Sequence, residues 1–483
     1  MDDLFGIGMQ VRGLVTDNHS ANVAAFNVLL SSMPGDKKNF FVHPKASTKT
    51  YVLFDSVHLL KNVRNNLLNS RKFVFPAMDF SVCGSSIVSE VGYITWGDLH
   101  KIHDHDQKND AHLRKAPKLS YQALHPGNKK KCINFASAIF HETTIAAYQG
   151  LSPDRIDMTN FLKLINVWWT CTNSRSRYTS NFLANAMIPE DDKLDFFRKL
   201  ADWLEAWAAE CINFGLSKQT FNALILTLRS HSMLIQDLFA DGYEYVQCSK
   251  LQSDPVERRF SQYRAMSGGR FLVSLREVES SEKILKCRSL LKLDHNYWLD
   301  SEEHGEEEIL EENTNKLLAI LEEKEEEILE ATLSSESEQV AHYIAGNISK
   351  RIHQASNCKM CEAKLIDSDV KTVNMRSSYL LDLSRGGLTV PSKAVSDFVA
   401  NGYALLDLFD QYISNKVRHL SLVALEKYSP RSALGCEAHM DRNRKFFFKV
   451  LVNTFYNNKQ HRTTDIVREN TVKSFKKNQR NKE

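Results

Sequence analysis

A strand-forming run, Tyr51-Val52-Leu53-Phe54, ends on Asp55 and passes directly into helix-forming Ser56-Val57-His58-Leu59-Leu60-Lys61-Asn62-Val63-Arg64-Asn65-Asn66. Val57, Leu60, Val63 and Leu67 recur at helical spacing. An acid at the tip of an apolar strand costs free energy unless its charge is used. The order strand, acid, helix therefore restricts this part of the chain to an α/β layer with a carboxylate at a strand end. The same order occurs earlier. Residues 11–16 read as a strand, and Asp17-Asn18-His19-Ser20 stops it and caps a helix over residues 21–30.

A second acidic helix start lies in Ser253-Asp254-Pro255-Val256-Glu257-Arg258-Arg259-Phe260, whose Glu257 follows Asp55 by 202 residues. Asp254 fits an N-cap, Pro255 the first helical position and Glu257 the third, the arrangement of a capping box. Both acids thus have a purely structural reading as caps. Their surroundings suggest more: His58, Lys61 and Arg64 follow Asp55, and Arg258, Arg259 and Arg264 accompany Glu257. Carboxylates among cations suit a place where a divalent metal meets a phosphate backbone. Asp17 is a further candidate, although capping accounts for it.

Between the two motifs the pattern changes. From about 95 to 240 helical periodicity dominates, with helices expected over 134–148, 158–169, 193–208 and 218–239. Trp168, Trp169, Trp203 and Trp207 fall here and are expected to anchor a helical core. Tyr243-Glu244-Tyr245-Val246-Gln247 reads as a short strand. The expected organisation is a first core segment (1–94), a helical insertion (95–240), the returning core with its acidic helix (241–298), an acidic linker (299–334) and a C-terminal module (335–483).

The bulk numbers bound the function without naming it. A length of 483 residues allows roughly three domains. With 42% hydrophobic and 25% charged residues, the chain can bury a sizeable core. A net charge of +3 supplies no global field, so any contact with nucleic acid must rest on local basic patches. Such patches occur at Lys129-Lys130-Lys131 and at Arg442, Arg444, Lys445, Lys473, Lys476, Lys477 and Arg480. The first residues do not form a secretory signal, and no apolar run is long enough to span a membrane. A soluble intracellular protein without membrane partners is expected.

Most of the nine cysteines stand alone and read as small buried hydrophobes. Cys358-Lys-Met-Cys361 and Cys436-Glu-Ala-His439 differ, because two short-spaced pairs are the usual grammar of a tetrahedral zinc site. The 74 residues between the pairs weaken that signal, and unrelated thiols are the alternative. The histidine-rich stretch from His100 to His105 reads as a polar helix end rather than a metal site.

Three motifs, FDSVHLLKNVRNN, SDPVERRFSQYRAMSGGRF and LSRGGLTVPS, together resemble P-element-type DNA transposases, the group that includes the THAP-domain transposases. The resemblance implies a ribonuclease H-like α/β core, incomplete at its N-terminus, interrupted by an all-helical insertion and followed by a mainly helical C-terminal module. It implies DNA cleavage and strand transfer with two magnesium ions, transposon ends and target DNA as partners, a homo-oligomer and a nuclear protein. Asp55 matches the second catalytic aspartate and Glu257 the closing glutamate. In this role His58 and Asp254 support the site, and Lys61, Arg64 and Arg258 contact DNA. The segment bearing Asp17 corresponds to the third strand of that fold, which puts Asp17 outside the catalytic set. The first catalytic aspartate has no counterpart among the 54 residues before Asp55, so strand transfer is expected to be impaired. The family's insertion binds GTP in at least some members through Phe-Asp-x-x-Asn; here the stretch is Trp169-Thr170-Cys171-Thr172-Asn173, without the carboxylate that reads guanine. The alternative function is a domesticated, non-catalytic DNA- or protein-binding derivative. A helical scaffold whose acids only cap helices is a third reading.

Overall fold

The computed structural model describes residues 2–31, 38–44, 48–70, 72–109, 113–210, 214–269, 272–292, 323–324, 330–356, 358–367, 389–412, 418–429 and 434–480. After a short helix, α1 (Asp2–Gly6), come β1 (Gly13–Thr16), α2 (Ser20–Ser31), β2 (Phe40–Val42), β3 (Lys49–Phe54) and α3 (Ser56–Asn69). These strands form one sheet in the order β1-β3-β2. β1 runs parallel to β3 with Thr16 opposite Phe54, and β2 runs antiparallel to β3 with Phe40 opposite Tyr51. Residues 51–54 are buried, as their uninterrupted apolar run requires of a strand covered on both faces.

β4 (Phe73–Phe75), β5 (Met78–Val82), β6 (Ser85–Ser89) and β7 (Gly92–Ile94) then pair as two antiparallel ladders, β4 with β7 and β5 with β6. The sequence reading did not separate these short strands. Their signal is present in Met78-Asp79-Phe80-Ser81-Val82, whose apolar positions are the buried ones. Cys83 and Gly84 make the turn at φ 48° and 74°.

The region that follows is helical: α4 (Trp96–Asp106), α5 (Tyr121–Leu124), α6 (Ile133–Ile139), α7 (Glu142–Leu151), α8 (Ile156–Thr172), α9 (Lys193–Glu210) and α10 (Lys218–Ala240). The single helix expected over 134–148 is two. His141 accepts a hydrogen bond from Thr143 N at 3.2 Å and caps α7, which breaks the run. Tyr243–Gln247 is not a strand; only Val246 bridges to Met187. Trp207 is the hub of the aromatic core. Its ring meets Phe73, Phe75, Phe161 and Phe221 edge-on, and its Nε1 donates to Val74 O at 2.7 Å. The inserted helices also hold the sheet: from α10, Thr227 Oγ1 accepts from Phe54 N at 3.0 Å and Ser230 Oγ donates to Val52 O at 2.6 Å.

The chain then forms α11 (Asp254–Met266) and α12 (Leu275–Lys292). The C-terminal module comprises α13 (Ser335–Ser356), α14 (Lys359–Leu365), α15 (Lys393–Tyr412), α16 (Arg418–Tyr428) and α17 (Met440–Arg480). It has its own apolar core, including Phe398, Tyr403, Leu425, Phe447 and Leu451. Arg114 bonds Asp465 at 2.9 Å, a buried ion pair that ties α17 to the loop after α4. Most of the acidic stretch 299–334, the turn at Ser384–Leu388 and the side chains of Lys473, Lys476, Lys477 and Arg480 lie outside the described residues. Among the described residues no helix is long and apolar enough to cross a membrane.

His231 on α10 is enclosed beside Phe197, and burial holds its pKa at about 4, below the ordinary 6.5. The unfolded chain therefore takes up this proton at higher pH than the folded chain. Stability is expected to fall as pH drops from 6.5 towards 4, and His231→Gln is expected to flatten that part of the curve in urea unfolding at stepped pH.

Candidate active site

The site lies at the carboxyl ends of β1 and β3, where an open α/β layer normally offers its crevice. Asp55 is fully buried. Its Oδ1 accepts from Val57 N at 2.9 Å and so caps α3. Its Oδ2 accepts from the Ser253 hydroxyl. The same hydroxyl lies 3.2 Å from Glu257 Oε1, and His58 Nε2 is also 3.2 Å from that oxygen. Ligand atoms of Asp55, His58 and Glu257 all lie within 4.8 Å of one another. Two acids 202 residues apart thus meet across one serine.

The start of α11 differs from the expected capping box. Ser253, not Asp254, is the N-cap residue, and its side chain makes no cap hydrogen bond because it bridges the two acids. Asp254 pairs with Arg175 at 3.7 Å. Buried Gln252 donates to Thr172 O at 2.9 Å, and Cys248 N donates to Ser174 Oγ at 3.0 Å. The end of α8 therefore holds the segment that delivers Glu257. Within Trp169–Asn173, Thr170 and Thr172 spend their hydroxyls on the carbonyls of Asn166 and Trp168, at 2.7 and 3.0 Å.

On the sequence Asp17 is a further candidate that capping accounts for, and the structure shows where it stands. β1 is the parallel neighbour of β3, Asp55 N donates to Thr16 O at 2.8 Å, and Asp17 stands beside Asp55 at the strand ends. Asp17 Oδ1 accepts from Asn22 Nδ2 at 2.6 Å and from His19 N at 3.3 Å. Asp17, His19, His58, Lys61, Asn62, Lys130 and Lys131 line one open cleft of about 280 Å³. No local sequence pattern joins Asp17 to Asp55; the parallel pairing does.

Arg64 is a second correction. Expected on a phosphate, it is buried, and its guanidinium donates to Lys130 O at 2.7 Å. It sits on the covered side of α3, and burial lowers its pKa. Its effect is to fix the lysine loop at the rim of the cleft. Lys61 faces the cleft; burial lowers its pKa, against the pull of Glu257, Asp55 and Asp254. Arg258 is exposed. Arg444 of the tail cluster is occupied, donating to Glu426 O and Ser429 O at 3.1 and 3.3 Å. In the histidine-rich stretch, His103 is buried in α4 and His105 meets Glu336 at 2.8 Å.

Cys358, Cys361, Cys436 and His439 also converge, with Cys361 Sγ 3.6 Å from Cys436 Sγ and 3.5 Å from His439 Nδ1.

Fold and site define an α/β layer with acids at parallel strand ends, closed by a returning helix, beside a separate helical module. Residues 332–458 match the family model described as DNA transposase THAP9, C-terminal domain. That match is confined to the C-terminal module, where it bears out the resemblance to P-element-type transposases of the THAP group. The comparison with curated proteins gives no match. Among solved structures, the chain is similar to the Drosophila P element transposase strand transfer complex at 20% identity and a TM-score of 0.48. The likeness covers 59% of this chain and 62% of that one, so the chain spans less than two thirds of that transposase; at that score it carries no argument about the site.

Capping and exposure separate the two acids. Asp55→Ala is expected to lower stability in urea unfolding by about 1–2 kcal/mol or more, through the lost cap and the stranded Ser253 hydroxyl. Glu257→Ala, at an exposed position, is expected to stay within about 0.5 kcal/mol of the parent chain.

Proposed function

We propose that this chain acts on DNA as a P-element-type transposase core, cleaving and joining phosphodiesters where Asp55 and Glu257 meet, with the lysine-lined cleft beside them reached through His58. The observation that carries this reading is the meeting of Asp55, His58 and Glu257 within 4.8 Å from segments 199 and 202 residues apart. A ribonuclease H-like core is supported by the parallel β1–β3 pair with an acid after each strand, by β2 on the other edge of β3, and by an acidic helix that returns after a helical insertion. DNA as partner is supported by the three lysines at the cleft and by the family match of the C-terminal module.

The donor set fits a hard divalent cation: carboxylate oxygens from Asp55 and Glu257 beside His58. Bound magnesium supplies Lewis-acid activation of the attacking oxygen and stabilisation of the leaving one. The chain's own residues do the rest. Asp55 is fixed in place by its bond to Val57 N. Ser253 donates to Asp55 Oδ2 and so aims that oxygen, which keeps a second lone pair for a ligand. Lys61, Lys130 and Lys131 hold backbone phosphates without reading sequence. His58 Nε2, 3.2 Å from Glu257 Oε1, helps to orient that carboxylate. GTP has no support at Thr170, whose hydroxyl is spent within α8. Nuclear location and a homo-oligomer accompany this reading as proposals.

A non-catalytic DNA-binding derivative is favoured by one observation: Asp55 is enclosed and both its oxygens already have partners. Nicking of supercoiled plasmid by the full chain in Mg²⁺ or Mn²⁺ decides between the two. The catalytic reading expects divalent-dependent nicking that drops on the order of a hundredfold in Glu257→Gln and Asp55→Asn. Equal nicking by all three proteins, or none in any of them, rejects it. Lys61→Ala and Lys131→Ala are expected to weaken binding to all DNA sequences alike, each lowering the salt slope by about 0.9.

A further inference from the structure

We propose that Cys358, Cys361, Cys436 and His439 bind one structural zinc ion, and that this ion clamps α14 to the start of α17. The site is independent of the acidic cleft and stands or falls apart from it.

The geometry argues first. Tetrahedral zinc with ordinary ligand bonds sets sulfur–sulfur edges of about 3.8 Å and sulfur–nitrogen edges of about 3.6 Å. The thiol sulfurs of Cys361 and Cys358 lie 3.6 and 4.0 Å from Cys436 Sγ. His439 Nδ1 lies 3.5 Å from Cys361 Sγ and 3.3 Å from Cys436 Sγ. All four ligand atoms fall within 4.8 Å of one another. These distances match the edges of a tetrahedral ligand set. They are far too long for a disulfide, whose sulfurs sit at about 2.05 Å.

The surroundings argue second. Three thiolates on a dication leave a net negative charge, and neighbouring N–H donors offset it. Cys436 N donates to Cys361 Sγ at 3.4 Å, and the buried Asn443 Nδ2 points to the same sulfur at 3.7 Å. Asn443 also donates to Leu434 O at 2.9 Å, fixing the loop that carries Cys436. Gly435 turns that loop at φ 115°, and a Cβ there would come within 2.5 Å of Asn443 Nδ2 and 3.0 Å of Cys361 Sγ. The knuckle is thus shaped by the same groups that line the ligand set.

The burial argues third. Cys361 and Cys436 are buried, and the four protein ligands complete the coordination, leaving no position for a substrate. The role is structural. α14 has only seven residues and would be marginal alone. Bonding its first turn to the loop before α17 closes the module's core around Leu365, Leu434 and Phe447.

The test is metal analysis of the full chain purified without chelator. One equivalent of zinc is expected, exchangeable for cobalt with the visible absorption of a tetrahedral thiolate-rich site. Chelation is expected to lower the Tm of the C-terminal module by roughly 10 °C or more. Cys436→Ser and His439→Ala are expected to lose the metal, whereas Cys83→Ser, outside the cluster, keeps it. His439→Cys preserves four ligands and is expected to bind zinc even if the other variants fold poorly. A soluble parent chain without zinc, zinc content unchanged in Cys436→Ser and His439→Ala, or a Cys361–Cys436 disulfide in mass spectra overturns the proposal.

Discussion

The burial of Asp55 is the constraint on which the rest of the active-site region depends. A carboxylate removed from water has to find donors inside the protein or lose its charge. Here it finds two. Val57 N comes from its own helix start, at no cost in chain topology. Ser253 comes from the far side of the helical insertion. Hydrogen bonds to a charged group contribute about 1.5–3 kcal/mol each. The second bond is therefore strong enough to help fix where α11 begins, and with it where Glu257 stands.

This gives the helical insertion a positional role beyond its own core. α10 lies against β3 and hydrogen-bonds its backbone through Thr227 and Ser230. The end of α8 holds Gln252 and Cys248. Both sides of the acidic pair are thus set by helices that intervene between them in sequence. A shift of the insertion would move Glu257 relative to Asp55 while leaving each local element intact. The lysine rim depends on the same logic, because Arg64 within α3 fixes Lys130 from beneath.

Much of the element pattern was legible in the sequence. The Asp55 strand and helix fall where the apolar run and its spacing place them, and α3 spans the expected 56–69. The helices of the insertion follow their periodicity except at His141, where a side-chain cap interrupts it. The short ladders β4 to β7 were not separated, because runs of three to five residues give little periodic signal. At the site, Asp55, His58 and Glu257 were legible as residue types beside helix starts, and the zinc-like set as two short pairs. Arg64 was misplaced, and the position of Asp17 beside Asp55 was not foreseen, for one reason. Which helix face is covered and which strand is the neighbour are not written in local spacing.

What the sequence determined by itself is chemistry and local form: which residues carry charge, which can ligate, where strands and helices begin and how they are capped. These follow from side-chain type and from interactions between residues a few positions apart. What only the tertiary structure decided is coincidence in space: Asp17 beside Asp55, Ser253 between two acids, Lys130 at the rim, and four ligands from two separate segments of a helical module at tetrahedral distances. Those contacts span tens to hundreds of residues. The packing of whole elements fixes them, because buried charge and apolar surface can be satisfied together in only a few arrangements of the chain.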